Sequence, residues 1–469
     1  MAYTGKQLEE CGNMKNKPNL LLTAVALGIM LNPLNTSMIS VAFARLQEEF
    51  HLSFADISWL ISTYYLASAI AQPVMGKLSD LFGRKRLFIL GLLLVTCSSL
   101  LAPLSPSFGW LIGFRALQAI GTSTLFPAGM GIVRQAITGK QARALGVLSV
   151  FSSTSAAFGP SLGGFLIHAW DWPAIFIVNF PVIVVSLLLS LKVLPKDEPV
   201  RGARVRLDAP GIVLFSAAIM LWLLFFLAVP GGSGWLWLWL VAGLAASWGL
   251  YRYEYGREQP FIDVVFLKTN RNVTLIYVQF ILVNFVFYSI MFGIPSYLEA
   301  AHHFDVRMTG VVMLAIAGFS VLATPLAGRW IDARGPYKPL MLGATLACAG
   351  TLLMLTFRDG TSAGWMFAVL TVSGVSTGLN NLGMQTALYR FVSKAETGIA
   401  SGLFMTSRYL GTILSSSLLS AVFGKQITSG KLHVMALVCA LIGAAMLLLT
   451  LRLLRADGSG RSETAERQG

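Results

Sequence analysis

From residue 19 to residue 453 the chain is a succession of apolar stretches, each bounded by charges or by Gly, Pro and Asn turns. A bilayer-spanning helix needs about 20 predominantly apolar residues, and a backbone in lipid must satisfy its own hydrogen bonds. Such a chain is therefore expected to fold as a bundle of membrane helices. The stretches are 19–42, 57–76, 87–104, 107–130, 144–168, 173–194, 209–229, 235–251, 273–298, 308–328, 339–357, 363–389, 397–423 and 433–453. Composition agrees, with 55% hydrophobic and only 12% charged residues, where soluble domains carry about 25% charged. An ordinary cytosolic enzyme and a disordered scaffold are both excluded. No segment reads as a cleaved signal peptide, because the first stretch is long and no A-x-A site follows it.

The charges orient the fourteen stretches. With the N-terminus inside, the cytoplasmic segments hold 28 of the 35 Lys and Arg residues. Outside lie Arg45, Arg307, Arg358, Lys425 and Lys431, and deep within spans lie Arg115 and Arg408, with Lys192 and Arg452 counted at the cytoplasmic span ends. That asymmetry is a strong positive-inside signal and puts both termini in the cytoplasm of a cell-membrane protein. The net charge of +14 does not signal nucleic-acid binding, because the bases alternate with apolar stretches and form no soluble basic face. His51, His168, His302, His303 and His433 all fall at the outer edge.

Catalytic chemistry and cofactors are not expected. Cys11, Cys97, Cys348 and Cys439 lie far apart, so neither a disulfide framework nor a zinc site is indicated. No His, Cys, Asp and Glu cluster offers a metal or catalytic centre. The longest connections, 195–208 and 252–272, are too short for an ATPase domain, and no G-x-x-x-x-G-K-[ST] occurs.

A repeat divides the chain. Gly76-Lys77-Leu78-Ser79-Asp80-Leu81-Phe82-Gly83-Arg84 returns 252 positions later, with Gly328, Asp332 and Gly335 aligned to Gly76, Asp80 and Gly83. Two unrelated basic loops would share charge but not that spacing. Parallel repeats of six-helix halves are one recurrent transporter architecture. The expected organisation is a tail over 1–18, a six-helix half over 19–194, and basic loops with two inserted helices over 195–272. A second half over 273–453 and a tail over 454–469 complete it.

Residues 76–86 resemble the signature loop of the major facilitator superfamily. Leu111–Gly121 is similar to that superfamily's fourth-helix motif, and Gly146 with Ser155–Gly164 to its fifth-helix antiporter motif. Trp172–Pro181 is similar to the start of the sixth helix in the fourteen-span drug:proton antiporter branch. The resemblance implies that Asp80, with Gly76, Gly83, Arg84 and the repeat residue Asp332, locks the cytoplasmic side against the start of the thirteenth helix. It implies that Gly159, Pro160, Gly163 and Gly164 seal the two halves on one face, small residues letting helices approach and Pro bending one of them.

One departure matters most. The branch's first-helix acid falls at Asn35, so the usual proton carrier is absent, and no carboxylate lies deep in any span. A cation inside a span is costly and faces a cavity or a partner, which makes Arg115 and Arg408 the central features. Around them the candidate substrate and coupling residues are Asn35, Tyr64, Tyr65, Gln118, Asn284, Tyr288, Asn380 and Asn381. The resemblance thus implies a monomeric secondary exporter of amphiphilic small molecules, like the multidrug efflux proteins, exchanging protons by alternating access. Export of organic anions such as a siderophore, fatty acid or acidic antibiotic on the two arginines is an alternative. A lipid flippase or a non-transporting membrane component is another. Topology is directly testable. A single cysteine placed at position 302 should be labelled by an impermeant reagent from outside, and labelling only from the cytoplasm would invert the arrangement.

Overall fold

The computed structural model describes residues 18–52, 54–197, 207–228, 234–424 and 427–466. The expected N-terminal tail before Pro18, most of the 195–208 connection and Lys425 lie outside the described residues. Every apolar stretch is occupied by a helix. In the first part of the chain these are α1 (Pro18–Val41), α3 (Phe54–Phe82), α4 (Arg84–Leu101), α5 (Phe108–Ala136), α6 (Gln141–Trp170) and α8 (Asn179–Val193). Then come α9 (Ala209–Ala228), α10 (Leu236–Glu254), α12 (Arg271–Ala301), α13 (Val306–Arg334), α14 (Tyr337–Leu353), α15 (Ala363–Phe391), α16 (Thr397–Phe423) and α17 (Ser429–Glu466). Among the described residues, ten helices are long and apolar enough to cross a membrane. Helices α3, α10, α15 and α16 are not among the ten. For α15 and α16 the reason is an interior of hydroxyls and amides, including Ser373, Ser376, Asn380 and Gln385 on one and Ser401, Thr406, Ser407 and Thr412 on the other, all buried.

Two short helices had no counterpart in the sequence pattern, α2 (Phe43–Phe50) and α11 (Val264–Thr269), and a third, α7 (Ala174–Ile177), is the detached start of the sixth stretch. In α2, Arg45 reaches out of the helix to grip Asp171 with two 2.8 Å bonds and adds Glu49 at 3.3 Å. The sixth stretch breaks after α7, so that α8 starts at the buried amide Asn179.

The chain divides into two compact units, Met1–Val205 with Ser393–Leu403, and Arg206–Val392 with Phe404–Gly469. In the first, α6 lies close on α1 because Gly159 faces Ser37 and Gly163 faces the Met38 backbone, leaving no room for side chains. Pro160 is exposed and Gly164 is in ordinary contact with Val41. These glycines therefore do their packing inside one unit, against its own first helix.

In the second unit α13 and α15 meet the same way. A Cβ on Gly374 would stand 2.7 Å from the Ile316 carbonyl oxygen, and one on Gly378 the same distance from that of Ser320. The inserted pair α9 and α10 is joined by Trp222 Nε1 donating to Ser247 Oγ at 2.9 Å. Ser417 Oγ on α16 donates to the Phe226 carbonyl at 3.0 Å, tying α9 to this unit. At the far end of the unit a chain of hydrogen bonds links three segments. His302 Nε2 and Tyr297 Oη are 3.1 Å apart, Tyr297 Oη and Ser429 Oγ 2.9 Å, and Ser429 donates to Asp359 at 2.6 Å.

The glycine seam gives a measurable consequence. Gly374→Leu must push α15 off the α13 backbone, and overpacking of this kind costs about 1–3 kcal/mol. Gly364, on the same helix, has open space where a Cβ would go and should accept Leu with little change. Thermal unfolding of the two purified variants in detergent checks the contrast.

Candidate functional site

Five helices of the first unit converge on a layer of polar side chains in otherwise apolar surroundings. Asn32, Asn35 and Thr36 come from α1, Tyr64 and Tyr65 from α3, Ser99 from α4, Arg115, Gln118 and Thr122 from α5, and Asn179 from α8. Asn35 is the hub. Its Nδ2 donates to the Leu31 carbonyl at 2.7 Å and to Asn179 Oδ1 at 3.1 Å. Its Oδ1 accepts from Asn179 Nδ2 at 2.8 Å and from Gln118 Nε2 at 3.1 Å. Gln118 and Asn179 both also donate to Ser99 Oγ at 3.3 Å. A primary amide carries two donors and an acceptor with two lone pairs, and Asn35 uses both kinds. A carboxylate there could only accept and would leave the Leu31 carbonyl without its side-chain donor.

Arg115 hangs from this network by one corner. Nη1 donates to Gln118 Oε1 at 2.5 Å, and the guanidinium carbon lies 4.4 Å from the centre of the Tyr64 ring. The residue is 1% exposed, yet Nε and Nη2 have no hydrogen-bond partner. Among the described residues no carboxylate comes within ion-pair distance of it. Beside it lies a crevice lined by Thr36, Ile39, Ile61, Tyr64 and Tyr65. Tyr64 is held edge-on to Tyr65, and its hydroxyl is 2.7 Å from Thr122 Oγ1.

The second cation behaves differently. Arg408 donates from Nε and Nη2 to the Tyr288 hydroxyl at 3.0 and 2.7 Å. Asn284 is buried and spends its Nδ2 on the Phe280 carbonyl at 2.8 Å. Asn380 donates to Ser376 Oγ at 3.2 Å and lines a separate crevice with Val283, Phe287, Ser373 and Thr377. Asn381 stands half-buried on α15 and is not part of that lining. The structure thus gathers Asn35, Tyr64, Tyr65, Arg115 and Gln118 into one site and pairs Tyr288 with Arg408. Asn179, Ser99 and Thr122 were missed by sequence reasoning. The signal was available for Asn179, an amide inside an apolar stretch that must find buried partners.

The 76–86 loop forms a second constellation. Asp80, beyond the predicted 57–76 span, accepts the backbone N–H of Gly398 at 3.0 Å and of Ile399 at 2.9 Å. It also receives Arg84 Nη2 at 3.0 Å, its side chain being 7% exposed. A carboxylate on the first-turn N–H groups of α16 meets the positive end of that helix. Arg84 continues to the carbonyls of Gly131 at 3.0 Å and of Lys394. Gly76 packs on Gly398, and Arg134 adds bonds of 2.9 Å to the Ser393 carbonyl and to Thr397 Oγ1. Gly83 is at φ 109°, in the left-handed region, with the Asp197 carboxylate where its Cβ would go. That carboxylate caps α4 through the Lys85 and Arg86 N–H groups at 2.9 and 3.0 Å. Asp332, the repeat counterpart of Asp80, is exposed.

Burial pushes the Asp80 carboxyl up to about 6, against the opposing pull of Arg84 and the two backbone donors. A carboxyl raised in the folded protein binds its proton there before the unfolded chain does, so its ionisation costs stability as pH rises. Lowering pH from about 6.5 to about 4.5 should therefore stabilise the wild type relative to Asp80→Asn, which has no such proton to bind. Thermal midpoints of both proteins across that range provide the check.

The sequence profile of the Major Facilitator Superfamily matches residues 25–416 and 276–469. An uncharacterized MFS-type transporter of Bacillus subtilis (strain 168), YwoD, is 45% identical over 93% of this chain and 97% of its own length. The tetracenomycin C resistance and export protein of Streptomyces glaucescens is 28% identical over 88% of this chain and 77% of its own. The crystal structure of the human organic anion transporter MFSD10 (TETRAN) superposes with a TM-score of 0.67 at 16% identity, covering 93% of this chain and 99% of that one. At that identity the likeness is one of fold.

Proposed function

Since this chain belongs to the Major Facilitator Superfamily, we propose that it is a secondary active exporter of amphiphilic small molecules. It works by alternating access of two six-helix halves carried on fourteen spans, with both termini in the cytoplasm. The observation that carries this reading is the crevice beside Arg115, with apolar and aromatic walls from Ile39, Ile61, Tyr64 and Tyr65 and few polar anchors. The crevice is narrow as it stands, so an amphiphile enters it only as alternating access widens the site, where apolar walls with few polar anchors suit varied shapes. The tetracenomycin C relative, an export protein by name, supports the direction of transport.

In this mechanism the Asp80 carboxylate holds the start of α16 on the cytoplasmic side and lets go when the site turns inward. The hub amide at Asn35 orients Gln118 and through it Arg115. Arg408, clamped to Tyr288, keeps α12 and α16 in register. Asn284, Asn380 and Asn381 serve the second half, and Asp332 plays the milder part its exposure suggests. Protons are exchanged, but not through Asn35, which cannot change charge. Groups at span ends such as Asp56 and Glu299, the outer histidines, or an acidic substrate must carry them. An ordinary carboxyl titrates near pH 4, too low to cycle well at neutrality.

A second reading, export of organic anions, is favoured by the unpartnered N–H groups of Arg115. Uptake into inverted vesicles, with and without a pH gradient, tests both readings with one lipophilic cation and one organic anion. The expected result is accumulation of amphiphile with weak gradient dependence, reduced severalfold by Asp80→Asn at normal expression. Absence of uptake for either probe, or an Asp80→Asn rate equal to wild type, would refute the corresponding part.

A further inference from the structure

We infer that Arg115 is the anchor of a carboxylate-binding subsite, in which a planar organic acid lies side-on along the Nε–Nη2 edge of the guanidinium. This deepens the organic-anion reading and rests on it for its place in transport.

The argument begins with which donors are spent. Arginine has five N–H donors, and the two on Nε and Nη2 that share an edge run parallel, matching the two oxygens of a carboxylate. In Arg115 the opposite corner, Nη1, is committed to Gln118. Gln118 is held in turn by Asn35 and Ser99, so the guanidinium is fixed in plane before any ligand arrives. The edge left over is the bidentate one, and both of its nitrogens are unpartnered in a side chain 1% exposed.

The same edge occurs a second time in this chain, filled. Arg408 turns Nε and Nη2 onto one oxygen, the Tyr288 hydroxyl, at 3.0 and 2.7 Å. Among the described residues no side chain plays that part for Arg115. Tyr64 lies on the face of the guanidinium rather than at its edge, and its hydroxyl is turned to Thr122. Among the described residues the charged pairs of this unit are formed elsewhere, Asp80 with Arg84, and Arg45 with Asp171, Glu48 and Glu49.

The surroundings select the shape of the anion. Tyr64 covers one face of the guanidinium, and Arg115 lines the narrow crevice together with Ile39 and Ile61. A flat carboxylate head matches the parallel donor pair better than a tetrahedral phosphate or sulfonate, and an apolar or aromatic body matches these walls once the crevice widens to admit it. Partly exposed Ile61 and Tyr65 mark the side from which such a body enters. Lysine could supply the charge at this position but not the parallel pair of donors.

The test uses the purified full-length protein and four probes: naphthoate, its uncharged isostere naphthamide, naphthalene sulfonate and sodium chloride. Calorimetric titration should show naphthoate binding at least about tenfold more tightly than each of the others, the span expected of one charge-assisted hydrogen bond or more. Arg115→Lys should lose about tenfold to a hundredfold in naphthoate affinity while naphthamide is unaffected. The wild-type comparison of acid and amide needs no variant, so a folding defect in Arg115→Lys cannot hide the answer. Equal affinity for acid and amide, for carboxylate and sulfonate, or for naphthoate in wild type and Arg115→Lys would overturn the subsite. Naphthoate that binds through Arg115 but is not transported in vesicles would leave the subsite standing and refute organic-anion export. Transport of an organic anion without carboxylate-selective binding would do the reverse.

Discussion

Inside a helix bundle surrounded by lipid, a polar side chain can be answered only by another one or by a backbone carbonyl. The layer around Asn35 is what that rule produces. Leaving one buried donor or acceptor unanswered costs about 1–3 kcal/mol, so α1, α4, α5 and α8 are held in a single register by the need to present Asn35, Ser99, Gln118 and Asn179 to each other. The break between α7 and α8 belongs to the same solution, because it begins a new helix at Asn179. Arg115 is the one member whose demand exceeds what the layer supplies.

The positions of the ten helices apolar enough to cross a membrane were legible because each is a long apolar stretch, and family membership was legible in the 76–86 loop and the Leu111–Gly121 and Ser155–Gly164 segments. The finer elements were not. Helix α2 carries Arg45, Glu48 and Glu49 on eight residues, a charge density that reads as a loop until the Asp171 contact is seen. The difference between Arg115 and Arg408 was equally invisible. Both are single cations in apolar stretches, and the placement of Tyr288 on α12 gives one of them a partner within the protein. Asn179 sat in plain view within a recognised motif, but its partners are up to 144 positions away, and one sequence carries no record of such pairings.

The repeat shows how a shared pattern and a shared environment come apart. Gly83 and Gly335 both adopt positive φ, at 109° and 80°, so the loop backbone is reproduced in both copies. The acids are not equivalent. Asp80 is buried against backbone donors 318 and 319 positions later in the chain, whereas Asp332 is exposed. The spacing specifies a turn, and what the acid does is set by what the turn meets.

The hydrogen-bond chain at the far end of the second unit has a directionality that distances alone do not display. Ser429 owns a single proton and gives it to Asp359. Its oxygen must then receive one from Tyr297, and the Tyr297 oxygen in turn is left to receive from His302. Every rotor in the series is thereby set by the carboxylate at one end, down to the choice of which imidazole nitrogen bears hydrogen. A neutral His302 is held as the Nε2–H tautomer, its Nδ1 lone pair left for another partner. The single negative charge of Asp359 thus dictates, through two hydroxyls and across three separate segments, the chemical identity of a ring it never touches.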